Sequence, residues 1–265
     1  MQGRVALVTG VSRRAGIGFA IARRLAAAGA RVFAHHHVPH DAERAWGADD
    51  LEAVLAAIGG EVADAGGDLA QPGAPEQLMQ AAVDAFGHVD VLVCNHVSSG
   101  PDGALGELTA ELLDAHWAVN TRSSLLLAQA FAAQHDGRPG GRIVLMTSGQ
   151  NLGPMPGEIA YAASKGALAA ITPTLADELA DRGITVNCVN PGPVDTGWAT
   201  PELFASVADR LPAGRWGEPD DAARLIAWLA SDDARWITGQ VINSEGGFRR
   251  WAPTRGGGDP DAQRG

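Results

Sequence analysis

The sequence predicts an α/β fold: a doubly wound, mostly parallel sheet with helices on both faces. Two observations carry that prediction. Short β-branched apolar runs alternate with alanine- and leucine-rich stretches of helical spacing, without a break, a linker or an internal repeat. The runs are apolar at successive positions instead of every second one, as strands covered on both faces must be.

In chain order the strand-like runs are RVALV (4–8), ARVFA (30–34), the weaker EVADA (61–65), VDVLVC (89–94), RIVLMT (142–147), ITVNCV (184–189) and QVIN (240–243). Helical spacing marks 17–28, 49–58, 74–86, 109–135, 159–181 and 219–231, all long enough to cross back between parallel strands. These elements make one domain over residues 1–251. The tail APTRGGGDPDAQRG (252–265) is polar and rich in Gly and Pro, and reads as disordered.

Composition narrows the function. A chain of 265 residues can bury a sizeable core. Its net charge of −11 argues against nucleic acid or an anionic membrane as the main partner. Cys94 and Cys188 lie in apolar runs and are expected as buried free thiols. RVALVTG enters structure within a few residues of Met1, and no apolar run approaches spanning length, so a cytoplasmic protein is expected.

The first strand ends in TGVSRRAGIG (9–18), which runs directly into a helix. Glycines there let backbone approach a pyrophosphate, and a helix N-terminus offers free amides and a positive dipole end. The second signal is compositional. Tyr161 is the chain's one tyrosine, and Lys165 is its one lysine, the other 19 basic residues being arginine. At i, i+4 they share a helix face. A free phenol, pKa about 10, is a poor proton-transfer catalyst near neutrality, and a nearby ammonium favours the phenolate. Arginine's broad planar fork is a different object from that compact charge.

These residues resemble the short-chain dehydrogenase/reductase superfamily, in its single-domain branch, over roughly residues 3–248. TGVSRRAGIG resembles the family's TGxxxGxG loop with two extra residues; VCNHV stands where NNAG is usual, Asn95 matching while Cys94, His96 and Val97 depart. GGDLAQP, VNTRS, MTSG, YAASK, NPGPVDTG, RWGEPDDAA and ITGQVINSEGG follow in the family's order. The resemblance implies a Rossmann-like fold and a catalytic set of Asn120, Ser148, Tyr161 and Lys165. Tyr161 would exchange the proton, and Lys165 would lower its pKa and meet the nicotinamide ribose. Ser148 would stabilise the reacting oxygen, and Asn120 would hold a relay water. Implied cofactor contacts are Gly10, Ser12, Arg13, Arg14, Gly16, Ile17 and Gly18 in the loop. To these are added His36, Asp68, Leu69, Asn95, Tyr161 and Lys165, then Pro191, Gly192, Val194 and Thr196 in the segment that closes over the nicotinamide. Gln150, Asn151, Met155 and Trp198 are candidates for lining the substrate pocket.

NADP(H) is favoured over NAD(H). The second strand runs into HHHVPH with no acid before Asp41, and Arg13 and Arg14 would welcome a 2′-phosphate. The cluster His35, His36, His37 and His40 invites a metal reading. Consecutive strand residues point to opposite faces and no carboxylate or cysteine completes a set, so no metal is expected. Residues 38–50 read either as a loop folding over the adenosine or as an idle insertion. The favoured activity is interconversion of a ketone, 3-oxoacyl thioesters among the candidates, and a secondary alcohol, as in the family's β-ketoacyl-acyl carrier protein reductases. The alternatives are an NAD-linked sugar or steroid alcohol dehydrogenase, and a dinucleotide-sensing protein without turnover. A homo-oligomer, a tetramer first, is expected from the alanine-rich helices at 109–135 and 159–181 and from the apolar segments 223–230 and 235–242.

Overall fold

The computed structural model describes residues 1–251; the tail expected to be disordered, 252–265, lies outside the described residues. Seven strands, β1 (Val5–Val8), β2 (Arg31–His36), β3 (Val62–Gly66), β4 (Val91–Cys94), β5 (Gly141–Met146), β6 (Ile184–Asn190) and β7 (Val241–Asn243), form one sheet. Every pairing is parallel, in the order β3-β2-β1-β4-β5-β6-β7. The order reverses between β1 and β4, which opens a crevice at the carboxyl ends of those two strands.

The helices are α1 (Ile17–Ala27), α2 (Val38–Ala42), α3 (Leu51–Ala56), α4 (Ala74–Phe86), α5 (Ala110–His116), α6 (Ser123–Gln134), α7 (Ile159–Ala180), α8 (Pro201–Ala208) and α9 (Pro219–Leu229). Each strand feeds two cores, which is why the central runs are apolar throughout. Val5, Leu7, Leu92 and Ile143 join Leu78, Phe131 and Leu168 of α4, α6 and α7 on one face. Ala6, Val8, Val93 and Val144 join Ile21 and Leu25 of α1 and Ile226 of α9 on the other. Cys94 and Cys188 are buried free thiols.

Three expectations need correction, and one helix is added. The stretch 109–135 is not one uniform helix: α5 and α6 are separated by a π-helical turn, Trp117–Arg122, which contains Asn120. The connection 38–50 holds the short helix α2 and docks on the glycine loop, so it is not idle. Helix α8 is an additional helix, outside the stretches that helical spacing marks. Half of segment 223–230 is core, with Ala223, Ile226, Leu229 and Ala230 buried against α1, and of the large apolar side chains in 223–242 only Trp228 and Trp236 are exposed.

Candidate active site

Backbone approach shapes the loop after β1. Gly10 adopts φ +75°, and a Cβ there would lie 3.0 Å from the Asn95 amide nitrogen and the His96 Cα. A Cβ on Gly18 would overlap the Gly10 carbonyl and stand 2.7 Å from the Asn95 amide. Asn95 Nδ2 donates to the Thr9 and Gly10 carbonyls (3.0 and 3.3 Å) and so ties β4 to this loop. Gly16 precedes α1 without a side-chain cap, leaving the first amides of the helix open. A dinucleotide pyrophosphate fits such a cradle of bare backbone and uncapped amides.

The basic residues are distributed more specifically than the sequence indicated. Arg13 Nη2 donates to the Thr196 carbonyl (3.1 Å), and its guanidinium stands 5.4 Å from the Trp46 ring centre. The Arg14 amide donates to Asp49 (2.8 Å) while its side chain stays largely exposed. The connection 38–50 is thereby fastened over the glycine loop. Ser12 lies beneath it, its hydroxyl 3.4 Å from the His37 amide. His36 does not stand free: its Nε2 lies 3.1 Å from Asp64 on β3. The buried neighbour His35 instead meets the loop, its Nδ1 accepting from the Gly10 amide (3.4 Å) and its Nε2 donating to the Gly67 carbonyl (2.9 Å). The Asp68 carboxylate accepts from Ala70 and Gln71, and the Leu69 side chain is packed in the core, leaving only its backbone for a ligand. Among the described residues no group of three His, Cys, Asp or Glu side chains is placed to hold a metal ion.

Beyond the ends of β4 and β5 the expected catalytic set comes together. Ser148 opens a tight turn, Gly149–Asn151, just after β5, and lies beside the Tyr161 phenol, whose ionisation it favours. Burial pushes the phenol up to about 12, with Ser148 opposing the shift. Lys165 is 3% exposed and donates to the Met146 carbonyl (3.0 Å); burial pushes its ammonium down to about 8. Burial outweighs Ser148 at the phenol, and the Lys165 ammonium is hydrogen-bonded to the Met146 carbonyl. Asn120, fully buried, donates to Ser164 Oγ (2.9 Å) and the Ser98 carbonyl (3.1 Å) and accepts from the Ser98 amide (2.7 Å). A π-helical turn at this position is the kind of irregularity that accompanies functional sites.

Gln150 and Asn151 sit in the turn after Ser148, and the buried Gln150 Oε1 has no partner among the described residues. Met155 follows in the connection to α7. Trp198 packs edge-on against Trp216 at 5.9 Å. Pro191, Gly192, Val194 and Thr196 form the segment after β6; Gly192 has φ +69°, and its Cβ would lie 2.6 Å from the Glu245 Cα. Two groups had no signal in the sequence. Arg250, ion-paired to Glu245, lies against Gly149 and Gly153, where side chains would collide with it. Asp102 reaches the amino end of α7.

A family model described as Enoyl-(Acyl carrier protein) reductase matches residues 10–249. The chain is 45% identical over 251 residues to Uncharacterized oxidoreductase YjdA of Bacillus subtilis (strain 168), covering 94% of this chain and 98% of that protein. It is 34% identical over 249 residues to 3-oxoacyl-[acyl-carrier-protein] reductase of Synechocystis sp., covering 94% and 98%. A short chain dehydrogenase from Burkholderia cenocepacia J2315, solved in complex with NADP, superposes with a TM-score of 0.81 at 37% identity, covering 93% of this chain and 98% of that one.

Proposed function

The chain belongs to the short-chain dehydrogenase/reductase superfamily as an NAD(P)-dependent oxidoreductase, and from that premise we propose that it uses NADP(H) to interconvert a ketone and a secondary alcohol. The observation that carries the proposal is Ser148 beside the buried Tyr161 phenol, with Lys165 one helical turn further along α7. A bound nicotinamide dinucleotide supplies or takes up the hydride. In the reducing direction Tyr161 gives its proton to the carbonyl oxygen, Ser148 Oγ donates a hydrogen bond to the charge developing there, and Lys165 favours the phenolate left behind. Asn120 holds the Ser98 loop against α7 and offers a polar route from Lys165 outward. The reverse reaction uses the same groups, with Tyr161 accepting the proton.

NADP(H) is supported by the guanidinium of Arg13 over the glycine loop, by a second strand that ends in histidines, and by the NADP complex of the Burkholderia relative. The similarity to a 3-oxoacyl reductase makes 3-oxoacyl thioesters the first substrates to try. The protein acts as a homo-oligomer, with a tetramer the expected form.

The test is turnover of purified protein with NADPH against a panel of ketones and 3-oxoacyl thioesters, in wild type and Tyr161→Phe. Tyr161→Phe is expected to abolish turnover while still binding NADPH, since only the proton donor is lost, and Lys165→Arg to be severely impaired. Retention of most of kcat by Tyr161→Phe would show the assigned chemistry to be wrong.

A further inference from the structure

Helix α7 carries Tyr161 in its first turn, where the amides have no partners within the helix. The residue before the helix, Glu158, contributes no side-chain cap. A carboxylate from a distant loop does so instead. Asp102, in the connection after β4, accepts from the Ala160 amide through Oδ1 (3.0 Å) and from the Tyr161 amide through Oδ2 (2.7 Å). Its Oδ1 also accepts from Gly103 (2.8 Å). Burial pushes the carboxyl up, but the amides of Tyr161, Gly103 and Ala160 together hold it below the ordinary carboxylate range, so it is ionised at neutrality.

The loop that delivers Asp102 is itself gripped from α5 and the π turn. His116 is 2% exposed, and its Nε2 lies 3.1 Å from the Pro101 carbonyl. A carbonyl only accepts, so that nitrogen carries the proton. The imidazole stands edge-on to the Tyr161 ring, 6.3 Å between centres at 83°. One turn on, Asn120 holds the same loop at Ser98. His116 Nδ1 is buried without a partner among the described residues. A buried polar ring with half its hydrogen-bonding capacity unmet is poor core material. The Pro101 bond and the Tyr161 contact account for its presence.

We infer that Asp102 and His116 form a clasp that fixes the Tyr161 phenol against Ser148, with Asp102 a positioning residue acting through the Tyr161 backbone. A local Ser or Asp at 158 would have capped α7 equally well. The long-range bond does what a local cap cannot: it sets where the amino end of α7 lies relative to the carboxyl end of β4. Misplacement of a reacting group by about 1 Å is enough to lower turnover by as much as ~10²-fold. The inference rests on the reading of Tyr161 as proton donor, and the experiment separates the two.

Asp102→Ala and Asp102→Asn, the latter keeping one acceptor oxygen, are compared in the full chain with wild type and Tyr161→Phe. Turnover is measured with NADPH and the best ketone of the panel, and NADPH affinity by its fluorescence. Because Tyr161 is the one tyrosine, its ionisation can also be followed by phenolate absorbance with no substrate present. Ser148 and Glu158 act on the phenol, His116 stands edge-on to its ring from α5, Asp102 holds its backbone amide, and Lys165 lies one turn further along α7. The expected result is a graded fall in kcat, wild type over Asn over Ala and roughly tenfold or more for Ala. NADPH affinity should be unchanged, and the phenol of the Ala variant should ionise at lower pH than the wild type as water reaches it. Wild-type kcat in either variant, a loss of NADPH affinity matching the fall in kcat, or an unshifted phenol titration overturns the clasp. Should Asp102→Ala fail to fold, the Asn variant decides by the same criteria. If Tyr161→Phe keeps its turnover, the proton-donor reading falls instead, while the titration still reports whether Asp102 positions the ring.

Discussion

Arg13 holds the carbonyl of Thr196 and faces Trp46, so one guanidinium joins the glycine loop, the 38–50 connection and the segment after β6. A charge-assisted hydrogen bond contributes roughly 1.5–3 kcal/mol. Arg13→Ala or Arg14→Ala is therefore expected to weaken NADPH use by about 10- to 100-fold with little change for NADH. The kcat/KM values for both cofactors check this; a wild-type preference for NADH that survives in both variants sinks the NADP(H) reading. His36→Asp should act in the same sense, but it would set a second carboxylate beside Asp64, so the arginine variants are the cleaner test. Two buried imidazoles make a separate prediction. Burial pushes His35 down to about 4 and His96 down to about 3. Both folded values lie below the unfolded value near 6.5, so on acidification the unfolded chain takes up protons first. Each histidine then removes stability at about 1.4 kcal/mol per pH unit from about 6.5 down to its folded value. Urea midpoints should fall steeply between pH 7 and 5; a flat profile would mean the imidazoles are not buried neutral. Tyr161 and Lys165 were legible because composition isolates them. Asp102, His116 and Arg250 were not, because each meets the site through a contact far along the chain or through a backbone group, and neither leaves a local pattern.

At the scale of elements, the junction of β1 with α1 is the most constrained. Gly18→Ala would drive a methyl group into the Gly10 carbonyl and the Asn95 side chain. The Gly10 backbone cannot yield cheaply, so a loss of about 1–3 kcal/mol is expected together with loss of NADPH binding. Gly106→Ala, where a Cβ meets nothing within 4 Å, should match wild type in both. Thermal unfolding with and without NADPH measures this, and equal behaviour of the two variants would refute it. The central strands were readable because they are buried on both faces; the weak run 61–65 became β3, an edge strand with no fully buried residue. Helix α8 carried a signal that was passed over: Thr200 caps the Leu203 amide (3.3 Å) and Pro201 opens the helix. The eight residues of PELFASVA bury no side chain fully, so core periodicity gave no support. The π turn within 109–135 lies beyond periodicity altogether. One extra residue in a turn shifts the apolar stripe, and α6 is apolar on most sides, with Leu127, Ala128, Phe131 and Ala132 all buried.

For the whole molecule, besides the exposed Trp198, Phe204 and Trp251, exposed aromatic residues mark two further places. One lies along α5, the π turn and α7, where Leu113 and Trp117 are 40% and 47% exposed beside a groove of about 220 Å³ floored by Ala160, Ala163 and Ser164. The other lies at the β7 edge of the sheet, where Trp236 is 92% exposed and Trp228 41%. Large apolar side chains left in water at two places argue for two contacts between copies. One self-complementary patch makes a dimer, and two independent ones make a dihedral tetramer. Trp117→Arg and Trp236→Arg are each expected to halve the assembly, and the double variant to leave a 27.3 kDa monomer. Sedimentation of the wild type as a 27.3 kDa species at micromolar concentration would refute the assembly outright. The two halves should not be equivalent in activity. Trp117 directly follows His116, whose imidazole meets the Tyr161 ring, whereas Trp236 lies at the opposite edge of the sheet from β3. Loosening α5 therefore reaches the candidate proton donor, and loosening the β7 edge does not. Trp117→Arg should lose several-fold more kcat than Trp236→Arg at equal NADPH affinity. Equal losses would mean that assembly supports stability alone and leaves the Tyr161 geometry to the monomer.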